Sequence, residues 1–186
     1  MRGEILGSVL WLLILGGWVV GVCCGYWMGR DLSHELSLVT GVPPPSQLER
    51  WWEPLLFFSL TPLSCYLLSQ LFFGGAAPLL LFLRGTHDGG VLIRSLEASL
   101  SGLSFPDLPL QDLLSSLFLL LILSVNLPLC LWASHLGASR ALYVRRRILG
   151  RAVRAGEGTS TLSSLFLLLS LSLVAGLLAS FLFGHL

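Results

Sequence analysis

Residues 162–183 read LSSLFLLLSLSLVAGLLASFLF, with no charged side chain among them. At about 1.5 Å of rise per residue, such a run forms a helix long enough to cross the roughly 30 Å hydrocarbon core of a bilayer. A helix on the surface of a soluble protein keeps one polar face for water. This one is apolar on every side. The stretch at 114–132, LSSLFLLLILSVNLPLCLW, has the same character. Mean hydropathy over the chain is +0.83, and only 11% of its 186 residues are charged. These values exclude an ordinary soluble domain, and the loops between apolar runs are too short to house a catalytic domain. The expected architecture is an all-α integral membrane bundle of about five transmembrane helices, forming one domain over residues 1–186.

The first span is expected at residues 6–29. Its apolar stretch is longer than a signal-peptide core and no small-residue cleavage site follows, so it reads as a retained signal-anchor. A polar segment, 30–53, contains the stiff run Pro43-Pro44-Pro45. Trp51 and Trp52 then form an interfacial anchor. The second span is expected at 54–73, with Pro54 in its first turn and a kink at Pro62. Gly74-Gly75-Ala76-Ala77-Pro78 breaks it. The third span, 78–100, carries Arg84, His87, Asp88, Arg94 and Glu97. It either crosses fully or dips in and returns as a re-entrant segment, which survives only when shielded by protein or water. The fourth span is expected at 113–136 and the fifth at 162–183.

Charge orients the bundle. Residues 137–161 hold Arg140, Arg145, Arg146, Arg147, Arg151 and Arg154 against Glu157 alone, a net charge of +5. The positive-inside rule places this segment in the cytoplasm. The acid-rich segment 30–53 and the linker 101–112 read as external. Five crossings of a cell membrane follow, with the N-terminus cytoplasmic and the C-terminus external. Arg147, Arg151 and Arg154 share a helical face suited to anionic headgroups. Binding of nucleic acid is not expected.

Two constellations stand out. Gly17, Gly21, Gly25 and Gly29 recur every fourth residue in the first span. They form a ridge without side chains that lets another helix approach closely. The facing helix belongs either to this bundle or to a partner, including a second copy in a homo-oligomer. Gly176, Ser180 and Gly184 repeat the device more weakly. The second constellation is Arg84, His87 and Asp88. Charges at depth in a bilayer cost several kcal/mol unless paired or wetted. Arg84 and Asp88 are four residues apart and can pair on one face. Arg94 and Glu97, three apart, can also meet. The segment is either a polar pathway with His87 as proton carrier, or partly interfacial with charges reaching water. Asn126, two residues before Pro128, is placed to reach a neighbouring helix or the carbonyl of Ser124 that the proline frees.

The remaining chemistry is sparse. Cys23, Cys24, Cys65 and Cys130 lack zinc spacing and read as packing residues. His34, His135 and His185 join no motif. All eleven basic residues are Arg, which reads as codon or habitat bias. No phosphate-binding loop, nucleophile elbow, metalloprotease signature or catalytic carboxylate pair is present. No enzymatic activity, cofactor or metal is expected.

The stretch FFGGAAPLLLFLRGTHDGG presents a small-residue turn at Gly74-Gly75, then Pro78, an apolar run 79–83, Arg84-Gly85 and Gly89. SVNLPLCLWASHLGASRA follows as an Asn/Pro-containing helix leading to a glycine, then an arginine-rich loop and a last span. This order resembles the stage II sporulation protein M family of small multi-spanning membrane proteins. The resemblance covers most of the chain in architecture and these two stretches in motif. The third span is more charged than that pattern, and the last helix lacks an acidic residue near its end. The resemblance implies a membrane scaffold acting during engulfment, with the cell-wall-degrading stage II sporulation proteins D and P as partners. A small transporter or channel with its polar site in the third span, and an accessory subunit of a larger complex, are the other readings.

Overall fold

The computed structural model describes residues 2–28, 52–101, 117–150 and 157–183. Gly29, the segment 30–50, Trp51, the linker 102–116, Arg151, Arg154, Gly184 and His185 lie outside the described residues, as do the side chains of Arg94 and Glu97.

The described chain forms five α-helices: α1 (Arg2–Met28), α2 (Glu53–Leu68), α3 (Ala76–Ser101), α4 (Leu117–Ile148) and α5 (Glu157–Phe183). Three segments, Ser8–Trp27 of α1, all of α4 and Leu162–Phe183 of α5, are long and apolar enough to cross a membrane by length and composition. α3 has the length, at 26 residues, but its polar residues lower its hydropathy. It runs as one unbroken helix. α2 has 16 residues, about 24 Å of rise, and is short for a full hydrocarbon core.

Two boundaries differ from expectation. The second span was expected to reach residue 73, but α2 ends at Leu68. A 3-10 turn at Leu71–Gly74 follows, in which Phe72, Phe73 and Gly74 have φ of 52°, 55° and 93°. This left-handed geometry costs a residue with a Cβ about 1–2 kcal/mol. It holds Gly74 against α4, where a Cβ would stand 3.1 Å from the Ala138 carbonyl oxygen. Pro62 lies buried within α2, and the Thr61 hydroxyl donates to the Phe57 carbonyl at 2.7 Å. The fourth span was expected to end at residue 136, but α4 continues to Ile148 through much of the arginine-rich stretch. Ala, Leu and Arg favour helix. Gly150, at φ 66°, then ends it, and the amides of Leu149 and Gly150 donate to the carbonyls of Arg145 and Arg147.

Helix directions alternate along the chain. Gly17 meets Pro78, Gly21 meets Phe82 and Gly25 meets Thr86, so α1 and α3 run parallel. Phe58 stacks edge-on with Phe118, Thr61 bonds Asn126, and Tyr66 bonds Arg140, so α2 and α4 run parallel. Gly74 lies at Ala138 while Arg84 reaches Asn126, so α3 opposes α4. α5 opposes α2: Gly176 meets Leu55, whereas Leu168 shares a cluster with Tyr66.

The core consists of small apolar clusters. One joins Phe57, Phe58, Phe118 and Phe183 through edge-to-face rings. Another joins Ile14, Ala77, Leu81 and Ala138. Large apolar side chains also cover the outside, among them Leu12, Leu120, Phe166 and Phe181. Soluble monomers rarely expose such continuous apolar surface.

Candidate functional site: a buried charged node

Among the described residues, buried charged side chains gather at one place in an otherwise largely apolar bundle. Arg84 of α3 is only 7% exposed. Its guanidinium donates to Asn126 Oδ1 at 2.8 Å and to Cys130 Sγ at 3.1 Å, both on α4. Its Nε lies 3.5 Å from Asp88 Oδ2, one helical turn on. Asp88 Oδ2 also accepts the indole N–H of Trp18 on α1 at 3.0 Å. Asn126 Nδ2 donates to the Thr61 hydroxyl of α2 at 2.9 Å. Four helices therefore meet at one ion pair. Its charges cancel, and each is further held by neutral partners, which is the condition for keeping charge away from water.

Local sequence explains the aim of each group. Arg84 and Asp88 sit at i and i+4, on one face of α3. Asn126 ends a π-helical turn, Ile122–Asn126, in which the Leu127 amide bonds back to the Ile122 carbonyl. Pro128 has no N–H for the Ser124 carbonyl, and its ring would press on that carbonyl in a regular α-helix. The wider turn makes room for it. Asn126 ends fully buried, with both ends of its amide in hydrogen bonds.

The glycine ridge lies beside the node and faces α3. Beta carbons on Gly17, Gly21 and Gly25 would meet the backbone of Pro78, Phe82 and Thr86. α3 reciprocates, because Gly85 and Gly89 oppose the backbone of Trp18 and Val22. The two helices interlock through glycines on both sides, backbone close against backbone. Gly176 of α5 opposes Leu55 of α2, where a Cβ would stand 3.0 Å from the Leu55 carbonyl oxygen.

The structure thus brings Arg84, Asp88 and Asn126 into direct contact and places His87 beside them. His87 is buried, and its Nδ1 lies 3.8 Å from Asp88 Oδ1 without a hydrogen-bond partner. His135 stands apart, stacked on Trp11 with ring centroids 4.7 Å apart. Among the described residues, no group of three or more His, Cys, Asp or Glu is placed to hold a metal ion. Sequence reading missed Trp18, Thr61 and Cys130. Trp18 carried a signal: an indole N–H far from the ends of an apolar helix needs an acceptor when buried. Thr61 and Cys130 carried none, since their roles arise from how α2 and α4 are docked.

Comparison of the chain with protein-family models, with curated proteins and with solved structures finds no match.

Proposed function

We propose that the chain crosses a cell membrane five times, with its N-terminus in the cytoplasm and its C-terminus outside, and acts there as a non-enzymatic scaffold. The observation that carries this reading is the engagement of the Arg84 guanidinium by Asn126, Cys130 and Asp88. Carriers and channels place polar groups at mid-depth where a substrate can reach them, often at broken helices. Here the charged groups bind helices to one another, and α3 is unbroken. The reciprocal glycine contacts likewise hold α1 against α3. Five helices of alternating direction suit five successive crossings, and Arg145, Arg146 and Arg147 end α4 on the side assigned to the cytoplasm. By resemblance to stage II sporulation protein M, the partners held would be cell-wall-remodelling proteins such as stage II sporulation proteins D and P.

Two observations favour a carrier instead: the unpartnered Nδ1 of His87 beside Asp88, and the buried Arg84 Nε, which faces Asp88 without a hydrogen bond. Two experiments separate the readings. Crosslinking in native membranes, affinity purification and mass spectrometry should recover a partner with an extracytoplasmic domain. Recovery of a many-subunit assembly would instead make the chain an accessory subunit. Proteoliposomes should show no proton flux above protein-free controls; flux abolished by His87→Ala would replace the scaffold with a carrier. For topology, Arg146→Cys should be labelled only from the cytoplasmic side and Gln47→Cys only from outside. Labelling of both from one side refutes five crossings.

A further inference from the structure

We propose that the turn between α2 and α3, together with the last turn of α4, forms a docking site for anionic phospholipid headgroups. The inference rests on the membrane-spanning reading above and concerns one end of the bundle. Arg145, Arg146 and Arg147 occupy the last turn of α4. Among the described residues none of the three forms an ion pair, and Arg145 and Arg147 are exposed. The carbonyls of Arg145 and Arg147 are already occupied by the amides of Leu149 and Gly150. Those two carbonyls therefore need no guanidinium to satisfy them.

Apolar side chains frame these cations. Phe72 is 87% exposed and Ile148 72% exposed, with Leu71, Phe73 and Leu149 also outward. Phe72 and Phe73 hold a left-handed backbone that is unfavourable for any residue with a Cβ. That geometry turns both rings out of the bundle while Gly74 stays buried against α4. The Arg145 guanidinium lies 5.7 Å over the Phe73 ring, a cation–π pair that fixes where the charge stands. A soluble anion would use the arginines and leave the rings in water. A phospholipid uses both, with its phosphate on the guanidinium groups and its acyl chains against the phenylalanines. Charge complementarity selects an anionic headgroup over a zwitterionic one.

The test uses the full chain purified in an uncharged detergent. Native mass spectrometry then counts bound phosphatidylglycerol and phosphatidylcholine, each added at the same concentration. Wild type should retain phosphatidylglycerol in preference, with binding about fivefold weaker for each of Arg145→Gln and Arg147→Gln. Phe72→Ser should weaken it as well, and inorganic phosphate should not displace the lipid. Circular dichroism checks that each variant is folded. Arg147→Gln, at an exposed position, keeps the test decisive if a change at the stacked Arg145 disturbs the turn. Equal retention of the two lipids, or undiminished retention by Arg147→Gln, overturns the site. Displacement by inorganic phosphate overturns the assignment to lipid. Flotation with phosphatidylcholine liposomes separates the two levels of failure. Protein that floats but shows no lipid preference loses only this site, whereas protein that does not float loses the membrane reading and the site with it.

Discussion

Gly16 and Gly17 are neighbours on α1, yet alanine should act on them in opposite directions. A Cβ at Gly16 meets nothing within 4 Å, whereas one at Gly17 would stand 2.6 Å from the Pro78 carbonyl oxygen. Ordinary contact begins near 3.4 Å, so the seam must open by the difference, about 0.8 Å. The obstructing atom is backbone and cannot rotate aside. Overpacking of this kind costs about 1–3 kcal/mol. At Gly16 the alanine only removes glycine's conformational entropy, a gain of about 0.5–1 kcal/mol in a helix. Gly17→Ala shares that gain, so the two variants should differ by the overpacking cost alone, about 1–3 kcal/mol. Unfolding by sodium dodecyl sulfate in mixed micelles, followed by circular dichroism, measures the gap. Gly21→Ala should behave like Gly17→Ala, while Val20→Leu, off the ridge and exposed, should stay within about 0.5 kcal/mol of wild type. Equal stability of Gly16→Ala and Gly17→Ala would refute the interlocked seam. Stability retained at Gly17 and Gly21 together with lost crosslinking between copies would move the ridge to a partner surface.

Three further outcomes follow from the node and the turn. Asp88→Ala should destabilise by about 3–5 kcal/mol, since it leaves a buried guanidinium without its counter-ion; adding Arg84→Ala should restore part of the folded yield measured by size exclusion in detergent, and a double variant worse than the sum of the singles would contradict the pairing. Asn126→Leu removes an acceptor from Arg84 and a donor from Thr61, so a loss of about 1–3 kcal/mol is expected in the same unfolding assay; an unchanged midpoint would show that Asn126 is dispensable. Phe73→Gly relieves a left-handed residue and should raise stability by about 1–2 kcal/mol while weakening retention of anionic lipid; a fall in stability would mean that the ring contributes more to packing than its backbone costs.

Much of the helical architecture could be read from the chain because apolar runs of sufficient length are their own signal. α3 shows where that signal fails. Hydropathy counts Arg84, Thr86, His87 and Asp88 as polar without knowing that all four point inward. The early end of α2 was unreadable for a different reason. Phe has no preference for positive φ, so nothing in these side chains announces the turn through Phe72 and Phe73 that seats Gly74 against Ala138. The four-residue spacing of Gly17, Gly21 and Gly25 was plain in the sequence, but spacing does not say which helix the ridge faces. Gly85 and Gly89, also four apart, held the answer. Recognising it required matching two glycine patterns with their registers. Trp18 was legible in principle, as a half-buried donor in search of an acceptor.

The glycine seam and the charged node are one arrangement. Trp18 follows Gly17 on α1, while Gly85 and Gly89 directly follow Arg84 and Asp88 on α3. Any bulk at these glycines would hold the two backbones apart, and the indole N–H would no longer reach Asp88 at 3.0 Å. Conversely, in the proposed membrane setting lipid tails would give no hydrophobic drive to press α1 onto α3, so contact would have to come from packing and hydrogen bonds. The seam supplies the proximity, and the bond from Trp18 to Asp88 fixes the axial register. Arg84 then carries that register across to α4, and Asn126 passes it to Thr61 of α2. A substitution at Gly85 and one at Asn126 are thus expected to act on the same docking of helices, although the residues touch different neighbours. That continuity is why the charges, costly as they are in an apolar bundle, belong to its architecture.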